Sequence, residues 1–422
     1  MQKNISIPRG TSDILPLNSL LWQDVENKIR QVLTVYNYNE IRTPIYEESK
    51  LFKRSLGQTS EVVNKQLLEL SSRGEESYAL RPEGTAAVVR SYIENRFDKK
   101  ESLMKFYYMG PMFRGERPQK GRLRQFHQIG VEAIGPDTVS PFLDAEIIAL
   151  ALNILKALGI REGFRLCINT LGSVQDKQKF SEILRTQVKD YDSQLPPELK
   201  SSFEQNIFRI LDSKDPIAKS IVAKLDINHS YLSKESEQYF SCVQQALDDL
   251  NISYEVSPKL VRGLDYYTHT VFEVLHEGLG SQDAVGAGGR YNGLVHQLGG
   301  IEADAVGFAL GMERMMLIMT QEVIDVKPHL DVYVLSMNEA YLNKTFNITE
   351  SLRKNGVSAE MNYKISSMKS LMRAANKVNA KYVLIIGEEE MIKNEVTIKD
   401  MSSGDQKTIS IQEVEGFFQN IH

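Results

Sequence analysis

Three arginines stand beside turns in well-separated stretches of the chain: Arg114, Arg262 and Arg314. A guanidinium offers a planar fork of N–H donors that matches phosphate and carboxylate oxygens, so arginines converging from distant segments are the chemistry of a polyanion site. The first lies in KFYYMGPMFRGERPQKGRLRQFHQIGVEAIG, residues 105–135. The flanks, 105–113 and 125–134, are rich in the aromatic and β-branched residues that favour strands, while Gly115, Pro118 and Gly121 interrupt the run between them. The pattern predicts a β-hairpin with a long loop carrying Arg114, Glu116, Arg117, Lys120, Arg122 and Arg124. Strand alternation puts Phe126, Gln128, Gly130 and Glu132 on one face, and His127, Ile129, Val131 and Ala133 on the other, core face. The first face is polar where burial would make it apolar, and Gly130 leaves room for something to lie on it. Taken alone, the stretch reads equally as an exposed charged hairpin.

The other two arginines sharpen the choice. Arg262 stands among apolar neighbours in LVRGLDYYTHTVFEVL (260–275), ahead of a predicted strand at 271–275. It needs either Asp265 as an ion-pair partner or an anionic ligand. Arg314 lies in AVGFALGMERMML (305–317), where a strand runs into a helix at about Gly311. A cation in the first turn opposes the helix dipole by roughly 0.3–1 kcal/mol. A phosphate held by Arg314 and the helix terminus accounts for it, and so does a neighbouring carboxylate such as Glu313. In YALRPEGT (78–85), Glu83 and Thr85 precede a predicted helix at 86–97. Thr85 reads as its cap, whereas Glu83 is open to capping or to binding an ammonium group. The glycine-rich AVGAGGRYNGLVHQLGG (284–300) lets backbone approach something closely, but it is no dinucleotide fingerprint, since Tyr291 occupies the third glycine position. There is no GxxxxGK[ST] loop, the seven histidines are scattered, and no metal-ligand cluster is visible.

These residues need elements to position them. The chain has 422 residues, enough for more than one domain, with 42% hydrophobic and 25% charged residues. A net charge of −5 argues against indiscriminate nucleic-acid binding and leaves RNA contact to local basic patches. No run is apolar enough to span a bilayer, the N-terminus lacks the pattern of a secretory signal, and the two cysteines, Cys167 and Cys242, are far apart. A reducing cytoplasm is the expected compartment. Helical periodicity covers 17–36, and a strand follows at 40–47. Pro44 within it predicts an edge or a break, where a second subunit could cover it. Residues 49–72 read as polar and partly helical. A strongly apolar helix follows at 141–158 and a strand at 165–169. From about 171 to 253 the texture is polar and helical, an insertion. Beyond Pro328 an αβ pattern defines a second domain, so the division is 1–325 and 328–422. On its second helix Lys369, Arg373 and Lys377 form a line at four-residue spacing, either a solvated face or a phosphate stripe.

The chain resembles the class II aminoacyl-tRNA synthetases, and within them the bacterial-type histidyl-tRNA synthetases, over essentially its whole length. The helix and strand ending at Pro44 resemble motif 1, which builds the dimer. FRGERPQKGRLRQFHQIGVE resembles motif 2 and GFALGMER motif 3. RGLDYY and AGGRYNGLV resemble two peptides peculiar to the histidine enzymes. The resemblance implies an α+β catalytic domain with a central antiparallel sheet, a helical insertion lying over the tRNA acceptor stem, and a C-terminal α/β anticodon-binding-like domain. It implies ATP-dependent ligation of L-histidine to tRNA(His) through a histidyl-adenylate, by a cytoplasmic homodimer that uses ATP with Mg2+ and has no permanent cofactor, no resident metal and no membrane association.

The implied roles are specific. Arg114 holds the α-phosphate, Phe126 stacks on adenine, Arg314 grips the γ-phosphate, and Glu116 and Arg122 complete the nucleotide site. Glu83, Gly84 and Thr85, with Gln128, bind the α-amino end of histidine. Glu132 and Tyr267 address the imidazole, and Tyr266 and Tyr291 line the pocket. Arg262 lies between the amino-acid carboxylate and the α-phosphate, and with Arg114 it is catalytic. Arg117 and Gln119 meet the tRNA acceptor end. Two places depart from the family pattern: residues 62–77, and Gly115 where an aromatic residue or His is common. The alternative is a non-catalytic synthetase paralogue, either a regulatory subunit of histidine biosynthesis or a tRNA-sensing module. The first lacks the C-terminal domain and degrades RGLDYY, and the second alters the motif arginines. All of these features are intact here.

Overall fold

Helical spacing of apolar residues produces the first element, α1 (Pro16–Val35), which buries Val25, Ile29 and Leu33 on one stripe. The computed structural model describes residues 5–57, 60–71, 74, 76–264, 266–319 and 330–419. They fall into two compact units, the smaller comprising the C-terminal stretch together with Leu15–Leu21. Asp265 and Pro328, which figure in the expectations above, lie outside the described residues.

After α1 the predicted strand at 40–47 is two pieces, β1 (Asn39–Glu40) and β2 (Tyr46–Glu48), interrupted around Pro44. Proline has no N–H for a ladder. Buried Arg81 holds the gap from the other side: its Nη1 donates to the carbonyl oxygens of Thr43 (3.0 Å) and Pro44 (3.4 Å), and its Nε to that of Pro111 (2.9 Å). The stretch read as polar and partly helical contains α2 (Ser49–Ser55) and β3 (Glu69–Leu70). β3 joins β2 and β4 (Tyr78–Leu80) in a small sheet of order β2-β4-β3.

The large sheet begins on α3 (Thr85–Glu94) and the predicted hairpin, β5 (Met104–Phe113) and β6 (Gln125–Gly135). It continues past α4 (Pro141–Ala157) into β7 (Phe164–Thr170). The insertion supplies α5 (Val174–Lys189), α6 (Pro197–Gln205), α7 (Arg209–Asp212), α8 (Pro216–Val222) and α9 (Lys234–Asp249). Then come β8 (Glu255–Val256), β9 (Thr268–His276), β10 (Ala284–Arg290), α10 (Leu294–Gln297), β11 (Asp304–Gly311) and α11 (Met312–Ile318). The eight strands run in the order β1-β5-β6-β11-β10-β9-β7-β8. All neighbours are antiparallel except β1 with β5 and β7 with β8. The glycine-rich stretch is thus a central strand, and its glycines fit flush against β11 and β9: a Cβ on Gly288 would overlap the backbone of Gly307.

The insertion shares an apolar core with the elements around the large sheet: Phe180, Ile210 and Tyr231 belong to the same cluster as Tyr92, Phe106 and Tyr266. One buried carboxylate starts two of its helices. Asp176 accepts from the backbone N of Ser173 (3.0 Å) at the head of α5 and from that of Ser233 (2.9 Å) at the head of α9. Burial works to raise its pKa, but these bonds and one from the Ser236 hydroxyl bring it below the ordinary range.

The smaller unit has β12 (Leu330–Ser336), α12 (Leu342–Lys354), β13 (Ala359–Met361), α13 (Met368–Lys377), β14 (Ala380–Ile386), α14 (Glu388–Lys393), β15 (Glu395–Asp400), β16 (Gln406–Ser410) and α15 (Val414–Gln419). Its sheet order is β13-β12-β14-β15-β16, parallel at β13-β12-β14 and antiparallel beyond. Alternation on β12 sends Val332 and Val334 toward α12 and α15, and Tyr333 and Leu335 toward α13. Lys369, Arg373 and Lys377 are all exposed along α13. Sequence reading missed α14, a short helix whose first turn, Glu388–Glu390, complements its dipole.

Candidate active site

The floor of the site is the β5–β6 hairpin, in register from Lys105 opposite Ala133 to Phe113 opposite Gln125. The basic loop is folded on itself. Arg114 donates its backbone N–H to the Arg124 carbonyl (2.9 Å), and Gln119 and Arg122 exchange both backbone hydrogen bonds around Lys120 and Gly121. Gly121 has φ +72°, the left-handed region that glycine enters without strain. Within the loop, Arg122 Nη1 pairs with Glu116 Oε2 at 3.2 Å. Arg117 and Gln119 are exposed at its surface.

The arginines converge around this loop. Arg114 Nε donates to the Pro82 carbonyl (2.9 Å), and its guanidinium lies over the Phe126 ring, 5.1 Å from the centroid. Arg314, in the first turn of α11, donates from Nε to the Gly121 carbonyl (3.0 Å) and from Nη1 to the Ala284 carbonyl. Burial lowers its pKa, and the neighbouring charges of Arg122 and Arg114 lower it further. Burial likewise lowers that of Arg114, with Arg122 adding to the effect. Cations crowded to the point of opposing one another are a site shaped for an anion. Glu313, the alternative partner for Arg314, is engaged elsewhere. Its carboxylate accepts the backbone N–H of His127 and meets His127 Nδ1 at 2.9 Å, and that ring packs edge-on against Trp22. His127 therefore lies on the opposite face from Gln128 and Glu132.

Arg262 pairs with a residue that the sequence did not single out. Its Nη1 lies 2.9 Å from Glu273 Oε1. Burial acts against its charge, and the fields of Glu273 and Asp212 more than restore it. Its Nε is buried with no hydrogen-bond partner among the described residues. Asp212 comes from α7 of the insertion, its Oδ2 3.6 Å from where a Cβ of Gly263 would stand. The insertion thus reaches the cleft itself, and Lys214 just beyond feels the charges of Arg122 and Arg314.

Behind the arginines lies a carboxylate pocket. Buried Glu83 accepts from the backbone N–H groups of Thr85 (2.7 Å) and Ala86 (2.9 Å), so Glu83, not Thr85, caps α3. The Thr85 hydroxyl instead donates to Glu132 Oε1 at 2.7 Å. Glu132 also accepts from the hydroxyls of Tyr108 (3.5 Å) and Tyr291. Burial, foremost, pushes the Glu132 carboxyl up to about 8, with Glu83 adding to the shift and the hydroxyl donors opposing it. Tyr266, Tyr267 and Tyr291 pack on one another, with ring centroids 4.6–6.5 Å apart. Burial keeps these phenols protonated, Tyr267 being pushed up to about 12. Gln128 Oε1 is buried without a partner among the described residues.

One expectation is corrected. Gly130 does not leave room for a ligand, because Tyr108 lies over it. A Cβ on either Gly130 or Gly84 would overlap the Tyr108 ring, which is held between the two. The hairpin register pairs Tyr108 with Gly130, and that signal was available in the sequence. Gly130→Ala should therefore cost about 1–3 kcal/mol by overpacking, read as a lower midpoint of urea unfolding. An unchanged midpoint would show that Tyr108 is free to move aside.

Comparison with known proteins follows this geometry. The sequence model described as histidyl-tRNA synthetase matches residues 10–315, and the one described as anticodon binding domain matches residues 331–421. A histidine–tRNA ligase of Acaryochloris marina is 44% identical over 406 residues, 96% of this chain and 94% of the relative. One from Halothermothrix orenii is 42% identical over 97% of each chain. The structure of apo Staphylococcus aureus histidyl-tRNA synthetase superposes with a TM-score of 0.81 at 35% identity, covering 99% of this chain and 100% of that one.

Proposed function

The chain belongs to the histidyl-tRNA synthetase family, and on that premise we propose which of its residues carry each step. It is a histidine–tRNA ligase that joins L-histidine to tRNA(His) in an ATP-dependent reaction through a histidyl-adenylate. The paralogue alternative is not adopted, because the similarity to ligases extends over nearly the full length of both chains.

One observation carries the residue-level reading. A single strand, β6, presents Phe126, Gln128 and Glu132 on one face, between the arginine cluster at one end and the buried carboxylates at the other. Adenine lies against Phe126. Arg114 binds the α-phosphate and Arg314 the γ-phosphate, with Arg122 and Glu116 completing the nucleotide site. ATP enters as its magnesium complex. The histidine ammonium is received at the Glu83-Gly84-Thr85 turn and by the unpaired Gln128 Oε1. The imidazole reaches Glu132 and Tyr267, between Tyr266 and Tyr291. The carboxylate of histidine then attacks the α-phosphorus. A P–O bond forms as the bond to pyrophosphate breaks, and Arg262 and Arg114 stabilise the charge that builds on the α-phosphate oxygens. In the second step a terminal ribose hydroxyl of the tRNA attacks the histidyl carbonyl, and AMP leaves. Arg117 and Gln119 guide the acceptor end, and the smaller unit reads the anticodon.

The active form is a homodimer. Ile45, Tyr46 and Leu70, exposed by 47%, 53% and 40%, stand on or beside the small sheet near the broken edge at Pro44 and supply an apolar seam. No helix among the described residues is long and apolar enough to cross a membrane. Free Cys167 and Cys242 suit a reducing cytoplasm.

Pyrophosphate exchange into ATP, run with each amino acid in turn, tests the assignment. Exchange is expected with histidine alone. Exchange with none, or equally with several, would overturn it.

A further inference from the structure

A second polar cluster lies on the far side of the large sheet from the substrates. Asp144 of α4 and Arg290 at the end of β10 are both fully buried. Asp144 Oδ1 accepts from Arg290 Nε (2.9 Å) and Nη2 (2.5 Å). Its Oδ2 accepts from the Thr270 hydroxyl (2.6 Å) and from that of Tyr239 on α9 of the insertion (3.1 Å). Arg290 Nη1 continues to Asn292 Oδ1 (3.2 Å). A buried ion pair is weak support for stability by itself, since desolvation offsets most of the attraction. What this one does geometrically is more telling.

The pairing of β9 with β10 slips at this point: Gly289 lies opposite Val271, but Arg290 opposite Thr268. The slip is a bulge, and His269 within it has φ +46°. Bulges re-aim side chains, and this one sits between two pocket tyrosines. Thr270 follows Tyr267 by three residues, and Arg290 directly precedes Tyr291. One carboxylate therefore holds both strands where they leave the sheet for the pocket. Tyr291 then delivers its hydroxyl to Glu132 while its backbone N–H is fixed to Ala305 (2.8 Å).

We propose that Asp144, gripping Thr270 and Arg290 across the bulge, is a positioning residue for histidine recognition, and that Tyr239 ties the helical insertion to the same carboxylate. This rests on the reading of Glu132 and the tyrosines as the histidine pocket. Removing one donor loosens the aim of Tyr267 and Tyr291 without touching the nucleotide arginines.

The test is steady-state pyrophosphate exchange with Thr270→Val, Thr270→Ser and Asp144→Asn. Thr270→Val should raise KM for histidine about tenfold, the scale of one hydrogen bond to a charged group, and leave KM for ATP unchanged. Thr270→Ser keeps the hydroxyl and should restore the wild-type value. Asp144→Asn should shift KM for histidine further. Should it not fold, the Thr270 pair still decides the matter. Equal shifts in both KM values, or a lowered melting midpoint with neither KM changed, would overturn the proposal and leave the cluster a structural one. Failure of the pocket reading is distinguishable, because Glu132→Gln would then leave KM for histidine unchanged.

Discussion

Arg262→Ala should slow histidine-dependent pyrophosphate exchange by about 10²–10³-fold, the scale of losing one preorganised donor to a developing charge, while ATP affinity changes only a few-fold. The asymmetry follows from where Arg262 stands. It arises from the polar turn before β9, not from the loop proposed to hold the nucleotide, and Glu273 fixes its Nη1 at 2.9 Å. That contact keeps the guanidinium in one orientation and leaves the buried Nε without a partner among the described residues. A donor held in place before the reaction costs no reorganisation when charge builds on the α-phosphate. Ground-state ATP, which the proposed roles assign to Arg114 and Arg314, gains little from it. Arg262→Lys keeps the charge but loses the fork, and should recover only part of the rate. Arg314→Ala should show the opposite pattern, raising KM for ATP more than it lowers turnover. Single-turnover adenylate formation beside equilibrium ATP binding separates these cases. Equal losses in rate and affinity for Arg262→Ala would make it a binding group only.

Glu132→Gln should abolish selective use of histidine and at the same time stabilise the ligand-free protein. Glu132 is buried, receives three hydroxyls, and has its pKa raised to about 8, chiefly by burial. In the unfolded chain a glutamate titrates near its ordinary ~4.3. Between those values the folded state holds a proton that the unfolded state has released. Stability must therefore fall as pH rises through that window, by about 1.4 kcal/mol for each pH unit. Over the whole window the loss is on the order of 5 kcal/mol. Glutamine has the same shape and no proton to lose, so this pH dependence should vanish. Urea midpoints of the two proteins should diverge as pH rises from about 4 to about 8 and hold a constant difference above that, with the variant the more stable at the alkaline end. Activity should move the other way. A pocket built to hydrogen-bond imidazole loses discrimination when the carboxyl that meets the ring is replaced by an amide, and KM for histidine should rise by roughly 10²-fold or more. Parallel pH profiles for the two proteins would refute the burial argument. A wild-type KM for histidine in the variant would remove Glu132 from the recognition site.

Local chemistry made a large part of the site legible in the sequence. The hairpin was readable because alternation and turn residues are properties of a few adjacent positions, and its strands lie within a residue of the expected limits. The same holds for the strand-to-helix step that puts Arg314 in the first turn of α11. The roles within the YALRPEGT turn were not readable. Thr85 has the side chain of a cap, yet Glu83 caps the helix, because the Thr85 hydroxyl finds Glu132 from across the sheet. Nor could spacing reveal that Glu313 serves His127 rather than Arg314, or that Glu273, eleven residues on, would pair with Arg262.

By itself the sequence determined which residue types were available, which face of each strand and helix they occupied, and, through its motifs, the family. Those follow from backbone periodicity and from short-range sterics and hydrogen bonding. The partners were decided by tertiary structure alone: the insertion bringing Asp212 to the cleft, and Asp144 accepting from Thr270 and Arg290 at the bulge beside the pocket. A buried polar group is satisfied by whatever the fold brings within about 3 Å. In this protein those partners come from strands and helices far apart in the chain, where local pattern carries no information about distance.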